Sequence, residues 1–219
     1  MPQSPRPPLS LSLPRLYAIV DADVCARDGR APVDVARAFL SAGAKLLQLR
    51  CKSWGSAAFL DLANVVIEDA SRADAAVIVN DRADVAALSN AHGLHVGQED
   101  LSPEDARKVI GDEPLLGLST HTREQWESAV NERVCYIAIG PVFGTGTKAT
   151  GYEAIGLETV RRAAGAAAQA GLPTVAIGGI TRDNARSVLD AGAASVAIIS
   201  DLLDGDPETR CRALLRILE

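Results

Sequence analysis

Residues 174–200, TVAIGGITRDNARSVLDAGAASVAIIS, contain one full copy of the pattern that decides the fold. An apolar run over 174–177 is followed by glycines at 178 and 179. Polar residues 181–184 then open a segment with helix-start signals. Gly192 marks the end of that segment, and a second apolar run follows over 195–199. Both runs are too short for helices and are rich in β-branched residues, so the stretch predicts a strand, a helix and another strand.

The same alternation extends through the rest of the chain. Eight apolar runs separated by segments of helical pattern follow the first fifteen residues: 16–20, 45–49, 75–79, 93–96, 115–118, 134–139, 174–177 and 195–199. Two parallel architectures fit this order, a closed barrel and an open doubly wound sheet. The count of eight favours the α/β class with a (β/α)8 TIM barrel.

Polar or glycine residues follow directly after most of these runs. In a barrel all strand ends lie on one face, whereas in an open sheet only those beside the switch point meet. A barrel would therefore place these polar and glycine residues in one site. We predict a single catalytic barrel domain over residues 16–219, preceded by a proline-rich arm over 1–15 that is disordered or extended.

The composition narrows the class of function. The 219 residues carry 22 basic and 28 acidic side chains, and the formal charge of -6 disfavours nucleic acid or an anionic membrane as partner. The first fifteen residues lack the apolar core of a signal peptide, and no window reaches the ~18 apolar residues of a membrane helix. Four cysteines without a CxxC pair indicate reduced thiols. These observations predict a cytoplasmic protein with small-molecule partners, and they leave a homo-oligomer open.

Three donors, Gln48, Arg50 and Lys52, follow one another at a spacing of two at the end of the second run. In an extended backbone their side chains point to one side, and Leu49 and Cys51 point to the other. Arginine grips phosphate with a planar fork and lysine adds a point charge. The alternative is a solvated strand end whose charges only maintain solubility.

Two carboxylates are predicted at neighbouring strand ends. Asp81 follows Asn80 after the third run, and Asp100 follows the fourth. Magnesium takes one or two protein carboxylates together with phosphate oxygens and water, so this pair and a diphosphate would suffice. Two alternatives remain open, since Asp100 could instead cap the next helix and Glu99 is a rival ligand.

Further candidates come from the second half of the chain. The segment 140–148, GPVFGTGTK, offers glycines, hydroxyls and Lys148 to an anion but departs from Walker A spacing, which makes a P-loop kinase improbable. Glycines at 178–179 and Ser200 end the last two strands, where barrels often bind phosphate. His92 and His95 fall on opposite strand faces and do not predict a shared metal, whereas His121 is placed for acid-base work.

Taken together, these motifs resemble the thiamine phosphate synthase family. The resemblance rests on QLRCK at 48–52, VND at 79–81, HVGQED at 95–100, LSTH at 118–121, GPVFGTGTK at 140–148, AIGGI at 176–180 and AIIS at 197–200. It implies a (β/α)8 barrel that joins the diphosphate of 4-amino-5-hydroxymethyl-2-methylpyrimidine to a thiazole phosphate or its carboxylated form. The expected products are thiamine phosphate and pyrophosphate.

The resemblance also implies roles for individual residues. The pyrimidine diphosphate would be held by Gln48, Arg50, Lys52, Asn80, Ser119 and Lys148, with catalytic roles for Arg50, Lys52 and Lys148. Mg²⁺ would be bound by Asp81 and Asp100. The thiazole phosphate would be held by Thr145, Gly146, Thr147, Gly179, Ile199 and Ser200. Many family members have another residue at the position of Gly146, and glycine there is expected to loosen the loop without removing a donor.

The residue types favour a dissociative substitution, because cations for a leaving diphosphate are abundant and no strong nucleophile or general base is evident. Two alternatives stay open. One is a thiazole tautomerase of similar fold, for which His121 would be the acid-base residue. The other is a non-catalytic barrel that binds a phosphorylated metabolite.

Overall fold

Eight parallel strands form a closed barrel in the computed structural model, which describes residues 12–144 and 152–219. Each strand pairs with the next along the chain, and β8 pairs with β1 to complete the ring. The strands are β1 Leu16–Asp21, β2 Leu46–Arg50, β3 Ala76–Asn80, β4 Gly93–Val96, β5 Leu115–Thr120, β6 Tyr136–Ile139, β7 Thr174–Ile177 and β8 Ser195–Ile198. The predicted (β/α)8 barrel is confirmed, and every strand overlaps one of the eight apolar runs.

Helices alternate with the strands and cover the outside of the barrel. In the described ranges they are α1 Ala22–Arg27, α2 Pro32–Ala42, α3 Ser56–Arg72, α4 Ala83–Leu88, α5 Pro103–Ile110, α6 Arg123–Ala129, α7 Gly156–Gln169, α8 Ala185–Asp190 and α9 Pro207–Leu218. A 3-10 helix, Ser200–Leu203, follows β8. The predicted start of α5 is confirmed, because the Ser102 hydroxyl accepts a hydrogen bond from the Asp105 amide at 3.1 Å.

The side-chain alternation of the strands divides the apolar core into two layers. In β1, Leu16, Ala18 and Val20 pack between the strands and the helices. The intervening Tyr17 and Ile19 belong to a second cluster inside the barrel. This period of two places polar side chains from several strands in the barrel interior, beneath the face where the strands end.

The N-terminal region leads into β1 at the opposite end of the barrel. Residues 1–11 of the predicted arm lie outside the described residues. Leu13 is 7% exposed, and the Arg15 guanidinium donates to the Leu218 carbonyl at 3.0 Å. Among the helices of 12–144 and 152–219, none combines the length and the apolar character that crossing a membrane requires.

Candidate active site

A cavity of about 750 Å³ opens at the carboxyl ends of the strands. The sequence-predicted residues that line it are Arg50, Lys52, Asn80, Asp81, Asp100, Ser119, Gly179, Ile199 and Ser200. The predicted Thr145, Gly146, Thr147 and Lys148 lie outside the described residues. The barrel thus brings strand-end residues from both halves of the chain to one cavity, as its topology requires.

Arg50 is held at the cavity by an acidic residue that sequence reasoning missed. Its Nη1 lies 2.5 Å from Oδ2 of Asp21, which is 1% exposed. Oδ1 of Asp21 accepts the backbone N–H groups of Asp23 and Val24 and so caps α1. The signal was present in the sequence, because Asp21 directly follows the first apolar run as the other site residues follow theirs.

Lys52 and Asp81 form an ion pair at the mouth of the cavity. The Asp81 backbone lies in the left-handed region at a φ of 63°, a conformation that aspartate tolerates better than most residues. Burial raises the pKa of Asp81 above its ordinary value, Lys52 lowers it, and the neighbouring Asp100 carboxyl raises it again. The two predicted metal ligands therefore lie near each other at the cavity.

Asp100 is fixed by a tight turn and does not cap α5. Its Oδ2 accepts the Gly97 backbone N–H at 2.7 Å, and Ser102 provides the cap. Within residues 12–144 and 152–219, no group of three or more His, Cys, Asp or Glu side chains is placed to hold a metal. Two adjacent carboxylates fit an ion that completes its shell with phosphate oxygens and water, as magnesium does.

Buried polar side chains form the floor of the cavity. Gln48 is 3% exposed, and its Nε2 donates to the Tyr17 hydroxyl at 3.0 Å, so its side chain lies below the cavity and outside its lining. The Tyr17 and Tyr136 hydroxyl oxygens are 3.0 Å apart. His95 joins Tyr136 to Ser119, with Nδ1 3.1 Å from the tyrosine oxygen and Nε2 2.8 Å from the serine Oγ.

Three members of this floor were absent from the predicted site: Tyr17, His95 and Tyr136. Tyr17 and Tyr136 occur inside apolar runs, where an aromatic residue usually indicates packing. His95 belongs to the motif HVGQED at 95–100, but its spacing from His92 predicted only that the two histidines lie on opposite strand faces. In the structure His92 directly precedes β4, and its Nδ1 accepts the Val77 backbone N–H at 3.2 Å, whereas His95 bonds Tyr136 and Ser119.

His121 lines another part of the cavity wall. Its Nδ1 is 2.7 Å from the Gly140 carbonyl oxygen, and since a carbonyl only accepts, this nitrogen carries the hydrogen. The His121 and Tyr152 rings stack with centroids 4.1 Å apart and an interplanar angle of 12°. His121 therefore lines the cavity but is already fixed by a backbone bond and a ring contact.

The ends of β7 and β8 form the remaining wall. Gly178 and Gly179 have φ values of 101° and 63°, and a Cβ on Gly179 would lie 2.7 Å from the Gly144 carbonyl oxygen. Glycine is therefore required for the close approach of these two loops. Asp201 also lines this wall. Its carboxylate accepts the Arg182 backbone N–H and pairs with Arg210 of α9.

Comparison with known proteins gives a consistent result along most of the chain. The family model described as thiamine monophosphate synthase matches residues 16–202. A thiamine-phosphate synthase of Koribacter versatilis is 44% identical over 210 residues, covering 95% of this chain and 97% of that protein. One from Thermus thermophilus is 40% identical over 206 residues, covering 92% and 96%. The solved structure of a thiamine phosphate pyrophosphorylase from Pyrococcus furiosus has a TM-score of 0.83 at 30% identity, covering 94% and 95%.

Proposed function

Because the chain belongs to the thiamine monophosphate synthase family, we propose that it joins a pyrimidine diphosphate to a thiazole phosphate. The protein is a transferase, and its products are thiamine phosphate and pyrophosphate. The two relatives reported above are named thiamine-phosphate synthases and the solved structure a thiamine phosphate pyrophosphorylase, which gives no support to a tautomerase or to a non-catalytic barrel. The predicted cytoplasmic location and homo-oligomer stay predictions.

The observation that carries this proposal is the meeting of two cations and two carboxylates at one end of the cavity. Arg50 and Lys52 line the same cavity as Asp81 and Asp100, and each cation is already paired with a carboxylate. A site with both charges selects an anion that arrives with a metal ion, because the metal offsets the repulsion between phosphate and carboxylate. A diphosphate bound with magnesium has this chemistry.

Asp81 and Asp100 are the residues that would hold Mg²⁺, with Glu99 also lining the cavity nearby. When bound, the ion would neutralise charge that develops on the departing pyrophosphate. The raised pKa of Asp81 supports this assignment, because a buried carboxylate beside a second carboxyl group is stabilised by a cation. Lys52, which pairs with Asp81 in the structure, is placed to contact a phosphate oxygen of the same ligand.

Arg50 and Lys52 would stabilise the leaving group while the carbon–oxygen bond to diphosphate breaks. The electron-rich aminopyrimidine carries the resulting positive charge on its methylene carbon, and the thiazole nitrogen then attacks that carbon. Asn80 and Ser119 line the cavity where they would position the pyrimidine ring. In this scheme the rate enhancement comes from charge stabilisation and from holding two substrates together.

The thiazole phosphate would bind at the ends of β7 and β8. Gly179, Ile199 and Ser200 line the cavity there, on the wall that barrel enzymes commonly use for phosphate. The family resemblance adds Thr145, Gly146, Thr147 and Lys148, which lie outside the described residues. Together with Arg50 and Lys52, Lys148 completes the set of three proposed catalytic cations.

A single reaction tests the proposal. Purified protein is incubated with both substrates and magnesium chloride, and thiamine phosphate and pyrophosphate are quantified by mass spectrometry. We expect equimolar products, no reaction with either substrate alone, and loss of most turnover in Arg50→Ala that still shows the wild-type circular dichroism spectrum. Conversion of the thiazole alone, or full turnover by the folded Arg50→Ala variant, would contradict the proposed function.

A further inference from the structure

Five polar side chains from five different strands form a continuous hydrogen-bonded chain beneath the cavity. It runs from Gln48 through Tyr17, Tyr136 and His95 to Ser119, with successive distances of 3.0, 3.0, 3.1 and 2.8 Å. Gln48, Tyr17, Tyr136 and His95 are at most 6% exposed, and the cavity is bordered by His95 and Ser119 at the far end from Gln48. The chain therefore has a sealed end and an open end.

The direction of the chain follows from what each atom can donate. Gln48 Nε2 carries hydrogens, and its lone pair is delocalised into the amide, so it donates and the Tyr17 oxygen accepts. The Tyr17 hydrogen then has Tyr136 as its partner. Tyr136 in turn donates to Nδ1 of His95, which leaves the His95 hydrogen on Nε2, directed at Ser119.

The opposite direction is disfavoured by burial. If Ser119 donated to His95 and the order ran inward, Tyr17 would accept from both Gln48 and Tyr136. Its own hydrogen would then have no acceptor among the described residues, at a side chain that is 1% exposed. An unpaired buried donor is costly, whereas a hydroxyl hydrogen at the open end can bond to water or ligand.

Both tyrosines keep their hydrogens under working conditions. Burial raises the pKa of Tyr17 and that of Tyr136 above the ordinary tyrosine value. Their rings are also fixed, because Tyr136 stacks on His95 with centroids 5.6 Å apart and meets Tyr17 edge to face at 6.1 Å. The hydroxyl groups are thus held where the hydrogen bonds require them.

We propose that Tyr17, Tyr136 and His95 are positioning residues that direct the Ser119 hydroxyl hydrogen into the cavity. Ser119 then acts as a hydrogen-bond donor to an unprotonated acceptor on the pyrimidine diphosphate, either a ring nitrogen or a phosphate oxygen. This inference rests on the proposed function for the identity of the ligand. The His95 tautomer and the direction of the chain follow from the geometry alone.

Nuclear magnetic resonance of ring nitrogens tests the direction without any turnover. The protein has three histidines, and His92 and His121 serve as internal references for His95. His92 accepts a backbone N–H at Nδ1 and should carry its hydrogen on Nε2, whereas His121 bonds a carbonyl through Nδ1 and should carry it there. At mildly alkaline pH we expect His95 to match the His92 pattern. A His95 that matches His121 would overturn the proposal.

A double-mutant cycle tests whether Tyr136 acts through Ser119. Tyr136→Phe should populate both His95 tautomers and lower kcat/KM about tenfold, the size of one directed hydrogen bond. In a Ser119→Ala background the same change should cost nothing further. Equal losses in both backgrounds would show a merely structural role and overturn the proposal. Tyr17→Phe replaces Tyr136→Phe in the cycle if the latter does not fold.

A matched control and a binding measurement complete the test. Thr174→Val removes another buried hydroxyl, one without a hydrogen-bond partner in the described part of the chain, and should leave kcat/KM unchanged.

Calorimetry of wild type and Ser119→Ala with inorganic pyrophosphate and magnesium, and separately with the diphosphate-free pyrimidine alcohol, identifies the acceptor. Loss of affinity for one ligand supports the donor role, and unchanged affinity for both overturns it. If wild type forms no thiamine phosphate, the proposed function fails while the tautomer measurement still decides the direction.

Discussion

Arg50 and Asp21 form an ion pair between the last residues of two neighbouring strands, with 2.5 Å between Nη1 and Oδ2. Their Cα atoms are partners in the β1–β2 register, so the pair is set by strand pairing. The Asp21 side chain is 2% exposed and that of Arg50 16%. One carboxylate therefore both caps α1 and anchors the cation that faces the cavity.

Replacing Asp21 should destabilise the protein strongly. Asp21→Ala removes a helix cap and leaves a largely buried guanidinium without its partner, so we expect the free energy of unfolding to fall by about 3 kcal/mol. Asp206→Ala is the matched control, since Asp206 caps α9 with an exposed side chain, and should cost about 1 kcal/mol. Urea denaturation measures both. Equal losses for the two variants would mean that the ion pair adds nothing.

Magnesium dependence should be traceable to Asp81 and Asp100. Chelation by EDTA is expected to abolish turnover, and Asp81→Asn and Asp100→Asn should each raise the half-saturating magnesium concentration about tenfold or more. Asp105→Asn, on the exposed surface of α5, is the control. Glu99→Gln tests the rival ligand. A shift with Glu99→Gln but not with Asp100→Asn would reassign the site.

Alkaline conditions should destabilise the fold through its buried thiols. Burial raises the pKa of Cys25 to about 11 and those of Cys51 and Cys211 to about 12, from an ordinary value of 9.0. The folded protein then holds protons that the unfolded chain releases, so this stabilisation is complete below pH 9.0 and is lost as pH rises toward 12.

The test is urea denaturation at increasing pH together with thiol labelling. We expect the free energy of unfolding to decline above the ordinary thiol pKa, and Cys211→Ala to make that decline shallower. In the folded protein the thiols should react slowly with a disulfide reagent at neutral pH, and rapidly after denaturation. Rapid labelling of the folded protein would contradict the burial on which the prediction depends.

Two glycine-to-alanine changes should act in opposite directions. A Cβ on Gly117 would lie 2.1 Å from Cζ of Tyr136, so Gly117→Ala must displace that ring, and we expect a loss of about 2 kcal/mol. Gly165 lies on the exposed side of α7 with no neighbour within 4 Å of a built Cβ, and Gly165→Ala should add about 0.5–1 kcal/mol. Thermal unfolding measures both. A neutral Gly117→Ala would show that the barrel interior can repack.

Much of the site follows from the positions where apolar runs end. Arg50, Lys52, Asp81 and Asp100 all line the cavity, and each stands at or just beyond a predicted strand. Gln48 obeys the same rule of alternation but lies one layer lower, where it meets Tyr17. A spacing of two predicts on which side of a strand a side chain lies, but it does not predict how deep in the barrel that side chain lies.

The sequence by itself determined the barrel and its chemical inventory, because strand length, alternation and helix-start signals are local properties of the chain. Only the tertiary structure decided which polar groups meet. Asp21 reaches Arg50 through the register of β1 and β2, and Tyr136 reaches both Tyr17 and His95 across the interior of the closed ring. Such partners are up to 119 residues apart along the chain. Their contact depends on strand register and barrel depth, which no local pattern encodes.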